Sequence, residues 1–377
     1  MAAVGIIAEF NPFHKGHAYL MEQAKKITGA DCAVILMNGD FVQRGEPAIT
    51  NKYDRTKAAM EGGADMVFEL PVRFGISSAG DFALGGIMAL NQLGFITHLA
   101  FGSESGDLAS LQKIADILFA EPDSFQQSLR ENLRKGLPFP AAREQALLAE
   151  CPELSIDFLD QPNNILGIEY LLALKKTNSH IQPVTIPRLG MDYHQTNYEP
   201  DVFPSATHLR KEWIHREQPH LCFDDLTPIL GYQLLQTPDL TIYKDFSADL
   251  SDRVKKNLSG FQNAEDFVQH IQSRTFTASR IRRSLLQCVL GLTGTEKTMP
   301  YLRLLGMDPI FSKKIQQVSP GCKILANLSR DVKKLTEREF LLFQKDLFAS
   351  DLYRQLWNEK YHTTLPVEYQ RSPYIRP

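Results

Sequence analysis

The sequence predicts an α/β protein: a parallel sheet with helices on both faces, followed by a mostly helical C-terminal region. Three observations carry this expectation. Short β-rich runs alternate with amphipathic segments through the first half, such runs fade beyond about Pro219, and the formal charge changes sign between the two parts. Alternation of this kind requires parallel strands, because a right-handed crossover between neighbouring parallel strands needs a helix to cover the sheet. A chain of 377 residues exceeds one ordinary core and implies about two domains, which we place at 1–218 and 219–377.

The elements follow in order. Residues 4–8 are an apolar strand, residues 17–27 an amphipathic helix, residues 32–37 a second strand and residues 52–62 a second helix. Next come a strand at 66–70, a helix at 79–93, a strand at 97–101 and a helix at 108–119. Residues 121–150 read as helices broken by Pro138 and Pro140, and Pro162 opens a helix running through Leu174. Residues 183–187 form one more strand of the first sheet. In the last third, helical patterns dominate at 266–272, 279–290, 300–305 and 337–353.

Composition narrows the function classes. Hydrophobic residues at 43% and charged residues at 23% describe a soluble globular protein. The opening Met1-Ala2-Ala3-Val4-Gly5-Ile6-Ile7-Ala8 has no basic flank and its apolar run ends at Glu9, so we expect no signal peptide and no membrane partner. Five scattered cysteines without a CxxC pair fit a reducing, cytoplasmic setting. His208, His215 and His220 lie close together but match no common ligand spacing, so no metal site is expected. Residues 251–377 carry 21 Lys+Arg against 12 Asp+Glu, whereas residues 1–250 carry 20 against 32. A basic segment joined to an acidic one suits contact with a polyanion, although an ordinary solvated helical surface would look the same.

The chemistry is concentrated after the first strand. There Ile7, Ala8, Glu9, Phe10, Asn11, Pro12, Phe13, His14, Lys15, Gly16, His17, Ala18, Tyr19 and Leu20 run from a strand through a Pro-containing loop into a helix. A loop leaving the carboxyl end of a parallel strand opens into the crevice where such sheets bind ligands. The helix that follows offers free N–H groups and a positive dipole end to an anion. Gly16 admits close approach, and His14 and His17 can donate hydrogen bonds to phosphate oxygens as charge develops. The string NPFHKGH resembles the HxGH signature of the nucleotidyltransferase superfamily, which implies a Rossmann-like nucleotidyltransferase domain, ATP as the bound nucleotide and attack on its α-phosphate. A second string, Ser205-Ala206-Thr207-His208-Leu209-Arg210, has the hydroxyl-then-arginine form that can hold the outer phosphates at a helix start.

Further strings sharpen the resemblance: Asn38–Ala48 with its QRGEP segment, Phe101-Gly102-Ser103-Glu104, Gln161–Gly167, Ile186-Pro187-Arg188 and Thr275–Arg283. Together they resemble the bacterial tRNA(Met) cytidine acetate ligases, to about residue 290. That resemblance implies activation of acetate to acetyl-adenylate with release of pyrophosphate. The acetyl group then passes to the exocyclic amine of the wobble cytidine of elongator tRNA(Met), giving 4-acetylcytidine, with Mg²⁺ entering as the ATP complex. It also implies catalytic roles for His14 and His17, and ATP contacts along Ile7–Leu20 with more at Gly102, Asn163 and Arg188. Each of the last three also has a plainer reading, as a turn glycine, a helix cap and a surface arginine.

Gln43, Arg44 and Glu46 follow the second strand on the ligand side, where they either border a substrate or form a solvated loop. Arg280, Arg282 and Arg283 at a helix start are candidate tRNA contacts. Neither a membrane nor DNA is an expected partner. Two other functions fit part of the pattern: an adenylyltransferase acting on a phosphorylated cofactor precursor, and a non-catalytic tRNA-binding protein. An intact HxGH argues against the latter.

Overall fold

The computed structural model describes residues 2–188, 205–294 and 297–377. Its strands are β1 (Ala3–Ala8), β2 (Cys32–Asn38), β3 (Phe41–Val42), β4 (Glu46–Pro47), β5 (Met66–Leu70), β6 (His98–Ser103), β7 (Gln182–Pro187), β8 (Tyr301–Met307), β9 (Lys323–Leu325) and β10 (Tyr374–Ile375). The main sheet runs β10-β8-β5-β2-β1-β6-β7, with β9 paired to β8, while β3 and β4 form a separate hairpin. From β5 to β7 all neighbours are parallel. The chain moves outward from β1 to β2 and β5, then returns to place β6 and β7 on β1's other side. That reversal is a topological switch point, and it leaves a crevice outside the carboxyl ends of β1 and β6.

Both sheet faces are covered, which explains the continuous apolar run Cys32-Ala33-Val34-Ile35-Leu36-Met37, buried at every position. Alternate residues serve opposite faces. Val4, Ile6, Ile35 and Val67 pack with Met21, Ala24, Ala59 and Met60 from helices Lys15–Thr28 and Lys52–Glu61. Val34, Leu36, Met66 and Phe68 pack with Ala83, Ile87 and Leu90 of helix Ala79–Leu93 and with helices Leu108–Ala120 and Pro162–Lys176. Side-chain caps set the helix starts: Asn51 accepts the N–H groups of Tyr53 and Asp54, and Ser78 accepts that of Asp81.

The C-terminal part is mostly helical, as expected, with one correction. Residues 300–305 are not helical; they enter β8, which lies antiparallel to β5 with a register shift at Val67/Phe68. The run Tyr301-Leu302-Arg303-Leu304-Leu305 is buried throughout, and a short apolar run cannot be assigned to strand or helix by periodicity alone. What decides is distant: the open edge of β5 needs a partner, and Gly306 lets that partner lie against helix Lys52–Glu61. A Cβ there would come within 2.8 Å of Thr56 Cγ2. The sheet therefore crosses residue 218, and so does the second core. Leu230, Leu250, Val268, Ile281 and Leu285 cluster with Phe41, Val72 and Ile76 from the first part.

Candidate functional site

β1 ends in a loop whose conformation is fixed from both sides. Phe10 adopts a positive φ of 50°, Asn11–Pro12 is cis, and Asn11 Oδ1 accepts the N–H of Ile49 at 2.7 Å. The buried Arg55 gathers carbonyls around this loop, donating to Glu9 O at 2.7 Å, Asn38 O at 3.1 Å and Thr50 O at 3.0 Å. Helix Lys15–Thr28 begins at once, and its cap is built from the two histidines. His14 Nδ1 accepts the N–H of Gly16 at 3.1 Å, and His17 Nδ1 accepts the N–H of His14 at 3.2 Å. The rings stack with centroids 3.7 Å apart, and that of His17 lies against Phe10 and Phe13.

This arrangement determines the protonation of both rings. An Nδ1 that accepts a backbone N–H carries no proton, so each neutral ring carries it on Nε2, leaving that N–H as a donor. Burial, and after it the charge of Arg188, pushes His14 down to about 4. Burial first, then the charges of His14 and Arg188, hold His17 well below the ordinary histidine value. Two neutral donors thus stand at a helix N-terminus, a setting suited to an anion.

The other candidate residues converge on the same sheet end. Gly102 lies near the end of β6, and a Cβ there would make ordinary contact with Arg188 Cγ at 3.4 Å and with Arg188 Cδ and Ile186 O at 3.9 Å. Arg188 follows β7, its N–H donating to Ser103 O at 3.1 Å, with an exposed side chain. Asn163 starts helix Pro162–Lys176, where Glu104 binds its amide nitrogen at 2.5 Å and accepts the Asn164 N–H at 2.9 Å. The Ser205 string forms a helix, Ala206–His215, capped by Ser205 on the His208 N–H. Its Arg210 donates to Asn11 O at 2.7 Å, so the two strings far apart in sequence touch.

The QRGEP segment is the β3–β4 hairpin. Glu9 Oε1 accepts the Gln43 N–H at 2.8 Å, Arg44 is exposed, and Gly45, at φ 83°, presses on helix Ala278–Val289. A Cβ at Gly45 would lie 2.4 Å from the Arg283 nitrogen. The three basic candidates of that helix do not share one face. Arg280 lies over the Phe276 ring, Arg283 is partly buried, and Arg282 bonds Glu265 through Nε at 2.8 Å while its Nη1 stands 3.3 Å from Glu46. Two features gave no sequence signal, because a buried Arg or Lys in a helix reads like a surface one: Arg55, and Lys52 with its partners Glu69 at 2.9 Å and Glu368 at 3.1 Å.

Comparison with known proteins agrees with this geometry. The HIGH Nucleotidyl Transferase family profile matches residues 1–366. The tRNA(Met) cytidine acetate ligase of Caldicellulosiruptor saccharolyticus is 36% identical, covering 100% of this chain and 99% of that protein. Its counterpart from Caldanaerobacter subterraneus subsp. tengcongensis is 38% identical, covering 94% and 95%. Among solved structures, that of Thermotoga maritima TmcAL bound with alpha-thio ATP superposes with a TM-score of 0.87 at 27% identity, covering 100% of this chain and 99% of that one.

Proposed function

The chain belongs to the HIGH nucleotidyl transferase family and, within it, to the tRNA(Met) cytidine acetate ligases, and from that premise we propose how its own residues carry out the reaction. The protein is an ATP-dependent ligase. An acetate oxygen attacks the α-phosphorus of ATP, the bond to the β-phosphate breaks, and pyrophosphate leaves. The exocyclic amine of the wobble cytidine of elongator tRNA(Met) then attacks the acetyl carbonyl and loses a proton, and AMP leaves with the electron pair of the broken acyl–phosphate anhydride bond. Similarity to the ligases along the whole chain disfavours the adenylyltransferase alternative.

The observation that carries this reading is the histidine cap. Because both Nδ1 atoms are occupied by backbone N–H groups, the Nε2–H donors of His14 and His17 serve phosphate oxygens whose charge grows as the α-phosphorus is attacked. Arg188, beside Gly102, and Arg210, bonded to Asn11 of the nucleotide loop, counter charge on the departing pyrophosphate. Mg²⁺ enters with ATP, held by its phosphates; among the described residues no group of three His, Cys, Asp or Glu could hold a metal ion. Arg280 is the best placed of the three tRNA candidates to meet a phosphate, whereas Arg282 is committed to Glu265 and Glu46. We place the enzyme in the cytoplasm, where its tRNA is found; no helix among the described residues is long and apolar enough to cross a membrane.

Acetate-dependent exchange of labelled pyrophosphate into ATP tests the first step. His17→Ala should lower that exchange by at least about tenfold, the size expected when one donor to a developing oxyanion is lost. Full exchange in the variant would make His17 a structural cap only.

A further inference from the structure

A groove of about 300 Å³ lies beside the HxGH string without including any of its residues, and shares Thr207 and Arg210 with the second phosphate-binding string. One wall is the β3–β4 hairpin with Ile49, another is helix Ala206–His215, and the third comes from the helical region through Phe223 and Arg282. Two of these walls meet at a single residue. Asn11 accepts the Ile49 N–H through its side chain and the Arg210 guanidinium through its main-chain oxygen, each at 2.7 Å. Asn11 is three residues from His14, so the groove's inner end abuts the loop that carries the nucleotide motif.

The lining combines apolar side chains with charged ones of both signs. Ile49, Phe223 and the half-exposed Ile214 supply the apolar surface, the carboxylates are Glu46, Asp224 and Glu265, and the cations are Arg210, Lys211 and Arg282, the last paired with Glu46 and Glu265. The Arg282 guanidinium holds Glu46 and Glu265 together, and so fastens the hairpin to the helical region. The volume exceeds what acetate needs and suits one nucleotide.

Building on the ligase reading, we propose that this groove seats the acceptor nucleotide of the tRNA. Its base lies between the apolar walls, its exocyclic amine faces inward to the acetyl-adenylate, and its backbone phosphate lies near Lys211. Amine attack forms the C–N bond, the bond from the acetyl carbon to the AMP oxygen breaks, and one amine proton leaves to water through the open mouth. Two features favour a nucleotide over a second small molecule: the groove's size, and its position where the helical region meets the nucleotide loop.

The test uses Ile214→Trp in the full-length enzyme, because Ile214 is 50% exposed and a larger side chain there fills the groove from the solvent side. Acetyl transfer to tRNA should fall at least tenfold, while acetate-dependent pyrophosphate exchange stays within about twofold of the wild type. Ile214→Val should transfer normally. In parallel, tRNA carrying 5-iodocytidine at the wobble position should photo-crosslink to peptides containing Ile214 or Phe223. Normal transfer by Ile214→Trp, or a crosslink mapping only elsewhere, would overturn the assignment. Loss of exchange together with transfer in a variant that melts normally would also overturn it, by making the groove part of the adenylation site. A wild-type protein that performs neither half-reaction would instead sink the ligase reading, and the groove assignment with it.

Discussion

The two motif histidines have two jobs each, and these can be separated. One ring nitrogen caps the helix and the other faces the nucleotide. Asparagine is a good N-cap whose side-chain oxygen can replace the accepting Nδ1, but it has no donor where Nε2–H stood. His14→Asn is therefore expected to melt within a few degrees of the wild type at pH 7 while losing at least about tenfold in exchange. Its behaviour in acid should also differ. His14 is pushed down to about 4 in the folded protein, by burial and then by Arg188, against 6.5 as its reference value. The unfolded chain thus binds this proton first, so the contribution to stability is complete above about pH 6.5 and is lost as pH falls towards about 4. Thermal melts at pH 7 and pH 5 should show a smaller acid loss for His14→Asn than for the wild type; equal losses would contradict the assignment. At this scale the sequence was informative wherever function needs a fixed spacing, as in His14-Lys15-Gly16-His17. It was silent on Arg55, whose role depends on three carbonyls brought together by folding.

Elements that lie far apart in sequence are joined by charge as well as by apolar packing. Lys52 opens the helix behind the nucleotide loop and reaches Glu69 on β5, Ser350 on helix Glu337–Tyr361, and Glu368 near the C-terminus. Burial pushes Glu69 up to about 7, and the Lys52 charge opposes that rise. Removing one partner of a buried pair leaves an uncompensated charge, typically at a cost of about 3–5 kcal/mol. Urea denaturation should show a loss of this order for Lys52→Met, partly recovered by adding Glu69→Gln; no change would mean the network is neutral. On helix Ala278–Val289 the basic residues divide in the same physical way. Arg280→Ala should lower the slope of log tRNA affinity against log salt by about one, as for a single phosphate contact. Arg282→Ala should instead release the hairpin, with little change in slope. Equal slope changes would return both to the phosphate surface. The sequence made the alternating helices and strands of the first half legible because each lies within one amphipathic period. It misassigned residues 300–305 because β8 is a strand only by virtue of β5, more than two hundred residues earlier.

Over the whole molecule, the acidic part and the basic part divide the charge without being independent bodies. Strands β8, β9 and β10 extend the first sheet, and Arg376 reaches back to Asp65 and to Asp308, at 3.3 and 3.0 Å. A helical region also tied through Arg282 to Glu46 of the β3–β4 hairpin can hold an RNA while the crevice at the switch point holds the adenylate, so both steps meet at one place. The full-length protein should be incubated with ATP, acetate labelled in its carboxyl group and elongator tRNA(Met), and both nucleotide and RNA products measured. The account predicts label in the RNA as 4-acetylcytidine at the wobble position, with at least one AMP and one pyrophosphate formed per acetyl group transferred. ADP and phosphate as the products, or AMP and pyrophosphate formed while the RNA stays unlabelled, would contradict it.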